Sequence, residues 1–423
     1  MPRTWRSHRH PQPGGGTPPP PPRRRYNHGA YVAIGWPGQI NQAIGQDTGT
    51  FIDPDGNTGH YNLGRIPGGH LGTAVFPGMG ALNPAVDGPS SSGVRGFVVP
   101  YYWKELETAK GVYNFSGFDA DMNTCIALGV QMIAMIITRT FNAAYNPAPG
   151  DAAGATDNLR YLNQLPYVNN NNAGGWQMSR WNNGFYVDPN PPNGLTPTTQ
   201  NVQARFKLLV NQLLTRWGDS NNLEGIATQE TSAGMSAQEQ ADTGYDADLY
   251  LAGLKLEADA VRLGHAKPRH FGYANFVPAL RGAGGDSYAS AYRQYMAASG
   301  CSVGGGPDIL PDSASLQTHV YPSYEAVYAN AFPNNGPTFC AAQDATFSQS
   351  VRTMQEIFNW CTGGTLSSPA LPGGYTQHLT LDYLFWNWET TNLPYNFNPD
   401  ARLVIAANPD FHVYNPPAER THG

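Results

Sequence analysis

Charge is scarce in this chain: Asp, Glu, Lys and Arg make up 13% of its 423 residues, about half the ~25% of an ordinary soluble domain. The 25 basic side chains are outnumbered by 31 acidic ones, leaving a net charge of -6. That excludes the concentrated basic face of a nucleic-acid binder. Long apolar runs are also missing. None approaches the ~18 to 20 residues of a membrane span, so no membrane span is expected. Cysteine is limited to Cys125, Cys301, Cys340 and Cys361, with no CxxC pair and no histidine at ligand spacing, which argues against a structural zinc site. Cys125 and Cys361 fall on apolar helix positions and Cys340 in a strand-like run, so buried free thiols are expected. No P-loop, GxSxG or HExxH stands where it would matter, and no metal or organic cofactor is implied.

What the chain has in quantity is glycine (48), proline (36), tyrosine (23) and tryptophan (9). Aromatics supply large burial per residue and argue for a real core, while Gly and Pro imply long loops. A surface of Asn, Thr, Gln, Gly, Tyr and Trp in place of Lys and Glu suits hydrogen bonding and stacking against a neutral polyhydroxylated ligand. Residues 1–25 are basic and proline-rich without an apolar h-region, and read as a disordered arm. Residues 26–93, rich in Gly, Pro, Asn and Asp, read as an irregular extension packed on the main domain. Within it, Asp53-Pro-Asp-Gly-Asn-Thr-Gly has the alternating oxygens of a calcium loop but lacks the distal bidentate Glu, so a tight turn is expected.

From residue 94 the pattern becomes a repeated strand, loop and amphipathic helix. The predicted strands are 94–101 (VRGFVVPY), 130–137 (VQMIAMII), 176–181 (WQMSRW), 223–229 (LEGIATQ), 270–276 (HFGYANF), 316–321 (LQTHVY), 338–343 (TFCAAQ) and 379–386 (LTLDYLFW). Helical stripes lie between most of them: Phe118, Met122, Cys125 and Ile126; Phe206, Val210, Leu213, Leu214 and Trp217; Leu249, Ala252, Leu256, Ala260 and Leu263; Tyr288, Ala291, Tyr292 and Tyr295; Val351, Met354, Phe358 and Cys361. Eight strands alternating with helices predict a single α/β domain, a (β/α)8 barrel over 94–423. A doubly wound sheet would want a Gly-rich phosphate turn after its first strand, and residues 101–105 are Tyr-Tyr-Trp-Lys-Glu instead. The glycines at 304–306 read as a turn.

In such a barrel, reactive groups gather at the C-terminal strand ends. Those ends carry Tyr101 and Trp103; Arg180 and Trp181; Gln229 and Glu230; His319 and Tyr321; Gln343 and Asp344; and Trp386, Trp388 and Glu389. Acids, amides, one His and many aromatics on one rim are what sugar chemistry uses: stacking on a pyranose face, hydrogen bonds to hydroxyls, and paired carboxyls around the glycosidic oxygen. A carboxyl at a strand end in an aromatic cleft is desolvated and stays protonated for donation to a leaving oxygen. Glu230 is the candidate for that role, and a rim carboxylate paired with Arg180 is the alternative.

Residues 94–115 (VRGFVVPYYWKELETAKGVYNF) resemble the first strand and loop of the clan of retaining (β/α)8 glycoside hydrolases that includes cellulases, mannanases and the barrel β-galactosidases. Residues 223–234 (LEGIATQETSAG) are similar to the clan's fourth strand. The resemblance implies Glu230 as acid/base, His319 and Tyr321 as the sixth-strand pair, and Trp386 as the eighth-strand platform. Two departures stand out. Gln229 replaces the usual Asn, and the seventh strand, where the resemblance calls for a nucleophilic glutamate, offers Gln343 and Asp344. Asp344 or Glu389 then supplies the second carboxylate, or the site only binds; carboxyls ~5 to 5.5 Å apart imply retention and ~6.5 to 9.5 Å inversion.

The sequence therefore leads to a hydrolase of a neutral polysaccharide or oligosaccharide, expected outside the cell or in the periplasm. Trp103, Trp181, Trp386 and Trp388 would stack sugars, with Tyr101 beside them. Arg180, Gln229, His319, Tyr321 and Gln343 would orient hydroxyls. A noncatalytic glycan-binding barrel and a structural or assembly protein are the rival readings, and the oligomeric state stays open.

Overall fold

The computed structural model describes residues 29–33, 49–52, 58–61, 94–109, 111–137, 176–178, 184–186, 202–228, 247–265, 268–274, 285–304, 309–314, 338–342, 346, 350–363, 379, 381–387 and 399–408. Eight parallel strands close into a barrel in chain order. They are β1 (Gly29–Ala33), β2 (Val94–Tyr102), β3 (Gln131–Ile137), β4 (Leu223–Thr228), β5 (Arg269–Tyr273), β6 (Ser302–Gly304), β7 (Thr338–Ala342) and β8 (Tyr383–Asn387). The ring closes through β1, which pairs with β8 on one side (Val32 beside Trp386) and with β2 on the other (Val32 beside Phe97). Helices α1 (Ser116–Leu128), α2 (Val202–Trp217), α3 (Ala247–Arg262), α4 (Gly285–Ala298), α5 (Met354–Cys361) and α6 (Pro399–Ala407) are the longer ones among the described residues. None is long and apolar enough to cross a membrane.

The predicted barrel is present, but two of its strands are not the predicted ones. The first strand is Gly29–Ala33, from the stretch read as an irregular extension. Five residues of GAYVA, all buried, are too few to show a period, and about sixty residues separate them from the next barrel strand. The strand at 94 is accordingly second, not first. Residues Trp176–Met178 pair antiparallel with Gly184–Tyr186 in a hairpin of their own and leave the barrel. The sixth strand is Ser302–Gly304, which pairs with β5 and β7; the predicted 316–321 lies outside the described residues. Gly304, read as part of a turn, ends that strand with φ 156°, where a Cβ would overlap the Phe339 carbonyl. Only glycine lets β6 and β7 approach there. Near the N-terminus, Gly49–Ile52 and Thr58–Tyr61 pair antiparallel, and 53–57 between them lies outside the described residues.

Local chemistry sets the element ends. Gly129, at φ 68°, caps α1 by giving its N–H to the carbonyls of Cys125 and Ile126, which frees the chain to enter β3. Thr353 and Glu356 form a capping box at α5. The helix stripes hold for α2, where Phe206, Val210, Leu213 and Leu214 are buried, and fail in part for α3. There the buried face is Tyr250, Leu251, Leu254, Ala258 and Val261, while Leu256 and Leu263 are exposed; Val351 and Ile126 are exposed too. All four cysteines are buried free thiols. Burial pushes Cys125 and Cys361 well above the usual thiol range, so these are inert packing groups.

Candidate active site

Strand alternation divides the barrel's side chains between two cores. Tyr31, Ala33, Val98, Ile133, Ala227, Phe271, Tyr273, Phe339, Ala341, Tyr383 and Phe385 form one cluster, the barrel interior. A larger cluster joins Val32, Phe97, Val99, Tyr101, Cys340, Leu384 and Trp386 to the helices. The interior is filled by rings in edge contact: Phe271 lies 5.0 Å from Tyr383 and 5.5 Å from Phe339, and Tyr273 5.2 Å from Phe339. This is a packed plug, not a channel. Tyr273 and Ala33 are the strand-end members of this cluster on the C-terminal side, and both are buried.

The opposite end is a polar floor. The Tyr383 hydroxyl donates to Glu224 Oε1 at 2.6 Å; burial first, then the Glu224 charge, holds that phenol well above its usual range. Arg269, at the start of β5, donates to the Gly300 carbonyl at 3.1 Å. Groups at this end serve stability. Between the strands and helices, His270 Nε2 sits 3.0 Å from Thr228 Oγ1. Burial drives the His270 pKa down to about 3, so the ring is neutral and bridges the end of β4 to β5.

Three of the candidate site residues are core residues. Tyr101 is fully buried, its hydroxyl donating to Asp121 Oδ2 at 2.6 Å and its ring 5.0 Å from Phe118. Trp103 is fully buried, with Nε1 donating to Glu107 Oε2 at 2.8 Å and its ring 5.8 Å from Phe206. Trp386 is fully buried in the strand–helix layer beside Val32 and Ala342. The expectation that these three contact sugar is thereby corrected: strand alternation turns Tyr101 and Trp386 toward the helices, and Trp103 opens a short helical turn, Trp103–Leu106, that packs its ring against Phe206 of α2. Glu230, Asp344, Glu389, Arg180, Trp181, Gln229, His319, Tyr321, Gln343 and Trp388 lie outside the described residues. For six of them the preceding strand is described: β4 ends at Thr228, before Gln229 and Glu230, β7 at Ala342, before Gln343 and Asp344, and β8 at Asn387, before Trp388 and Glu389.

Sequence reasoning missed the polar groups that hold the rim loops. Glu107, fully buried in the loop after β2, accepts from Trp103 Nε1, from the Gly111 N–H at 2.7 Å, and from Arg205 of α2. The signal was present as Trp103, Glu107 and Gly111 at intervals of four, yet it read as a family pattern instead of a loop scaffold. Asp312 and Arg352 form a bidentate pair that no local pattern announces.

No family model and no curated protein matches the chain. Solved structures do resemble it. An endoglucanase from Pseudomonas stutzeri shares 10% identity over 90% of this chain and 93% of its own, with TM-score 0.41. The GH5_18 protein from Streptomyces cattleya, in complex with GlcNAc, shares 10% over 93% and 82%, with TM-score 0.47. A GH5-4 broad-specificity endoglucanase from an uncultured bacterium shares 12% over 90% and 94%, with TM-score 0.45.

Proposed function

We propose that the chain is a glycoside hydrolase of a neutral polysaccharide or oligosaccharide, with Glu230 as general acid and Asp344 or Glu389 as the second carboxylate. One observation carries this reading: the strands that precede these residues are the fourth, seventh and eighth of a closed parallel barrel, and so end on a single rim. Glu230 and Asp344 follow their strands by two positions and Glu389 likewise. The misassigned strands cancel before β4, which leaves the fourth-strand match of 223–234 intact. Arg180, Trp181, Gln229, His319, Tyr321, Gln343 and Trp388 are the proposed sugar contacts. The chemistry needs only the two carboxyls and water, with no metal or cofactor, and its polymeric substrate suits an extracellular or periplasmic site.

Asp344 is a methylene shorter than the glutamate it replaces, which sets it farther from Glu230 and leaves room for a water, favouring inversion. A noncatalytic glycan-binding role is favoured by one feature, the amide Gln343 at the end of β7. Reducing-end release from a panel of glucans, mannans, xylans and galactans separates the two. Turnover on at least one polymer is expected; retained binding with no turnover on any of them decides for the binding protein.

A further inference from the structure

The connections leaving β6 and β7 are tied together by a bidentate, partly buried ion pair. After β6 the chain turns at Leu310, whose carbonyl accepts from the Ser313 N–H at 3.0 Å. Inside that turn Asp312 accepts two hydrogen bonds from one guanidinium: Arg352 Nε to Oδ2 and Arg352 Nη2 to Oδ1, both at 2.7 Å. The Arg352 side chain is 1% exposed and that of Asp312 25%. Two parallel bonds between planar groups fix orientation as well as distance, which a lysine cannot do. Arg352 is itself held. Its N–H donates to Ser350 Oγ at 3.1 Å, and the next residue, Thr353, opens the capping box of α5. Between β7 and this point Thr346 is fully buried.

In a parallel barrel the connections from strand ends to the following helices share one rim. The fork therefore spans neighbouring rim connections, one running on toward His319 and Tyr321 and the other containing Gln343 and Asp344. We infer that Arg352 and Asp312 are positioning residues, which lock the β6 and β7 connections into one unit and so hold Asp344 in register with the rest of the proposed sugar site. What the unit positions rests on the hydrolase reading; that the two connections move together does not.

The test is hydrogen exchange on the full chain, followed by kinetics. Arg352→Lys keeps the charge and loses the fork. It should accelerate exchange by about tenfold or more in 309–321, a segment it does not alter, while β3 is unchanged. Unchanged exchange in 309–321 overturns the coupling. Should Arg352→Lys fail to fold, Asp312→Leu with Arg352→Met removes both charges without stranding either, and faster exchange in 309–321 and 343–350 together is the expected result; protection equal to wild type in both again overturns it. On a glycan that wild type cleaves, the foldable variant should lose about 10- to 100-fold in kcat with a smaller change in KM, as expected when a reacting group is misplaced. Wild-type kcat with accelerated exchange refutes positioning and leaves a purely structural tie. A wild type without turnover on any glycan refutes the hydrolase reading, and the positioning role with it, while the exchange result still judges the coupling.

Discussion

Replacing Glu107 by glutamine tests the scaffold of the rim loop after β2. The wild-type carboxylate is fully buried and accepts from Trp103 Nε1, the Gly111 N–H and the Arg205 guanidinium. Glutamine preserves the volume but offers one acceptor oxygen and turns an NH2 toward a donor. Arg205, whose side chain is 8% exposed, cannot shed its proton and loses its ion pair with Glu107. Removing one partner of a buried pair costs about 3–5 kcal/mol, and that is the expected loss in equilibrium denaturation with an unchanged m value. Adding Arg205→Met to Glu107→Gln removes the cation that has lost this partner and should recover about 1–2 kcal/mol of it. A single variant within about 0.5 kcal/mol of wild type, the range of an inert surface change, would refute the account of this loop.

Other consequences are simpler to state. His270 titrates near 6.5 when unfolded and at about 3 in the fold, so the unfolded chain binds the extra proton between these values and stability falls as pH drops through that window. The slope should approach about 1.4 kcal/mol per pH unit and flatten in His270→Gln; denaturation midpoints from pH 7 to pH 4 that do not steepen for wild type relative to the variant contradict it. Gly304→Ala puts a methyl onto the Phe339 carbonyl and should cost more than about 2 kcal/mol at a strained backbone site, read as a lowered melting temperature. Because all four thiols are buried, a thiol reagent should label none of them in the native protein and all four in denaturant; rapid native labelling of Cys340 or Cys361 would contradict the packing.

The barrel was legible because its strands between helices are short apolar runs that need burial on both faces, as in Gln131–Ile137 and Leu223–Thr228. Gly29–Ala33 and Ser302–Gly304 escaped for a common reason: five and three residues carry no readable period, and only pairing with neighbours far away in sequence makes them strands. The hairpin at Trp176 has a strand's composition without a barrel partner. At the site, residue type at a strand end was readable but orientation was not. Tyr101 and Trp386 differ from rim residues by one step of alternation, which sends each ring among the helices. The ties that shape the rim, Glu107 to Arg205 and Asp312 to Arg352, join residues 98 and 40 positions apart, beyond the reach of any local pattern.

The central claim is that Glu230 donates a proton to a departing glycosidic oxygen. Steady-state rates of wild type and Glu230→Gln should be compared on an oligosaccharide and on an aryl glycoside with a strongly acidic phenol, which leaves without protonation. The account predicts a loss of about 10²-fold or more on the oligosaccharide, in line with general acid catalysis, and a far smaller loss on the aryl glycoside. Equal losses on both, or none on either, would contradict it.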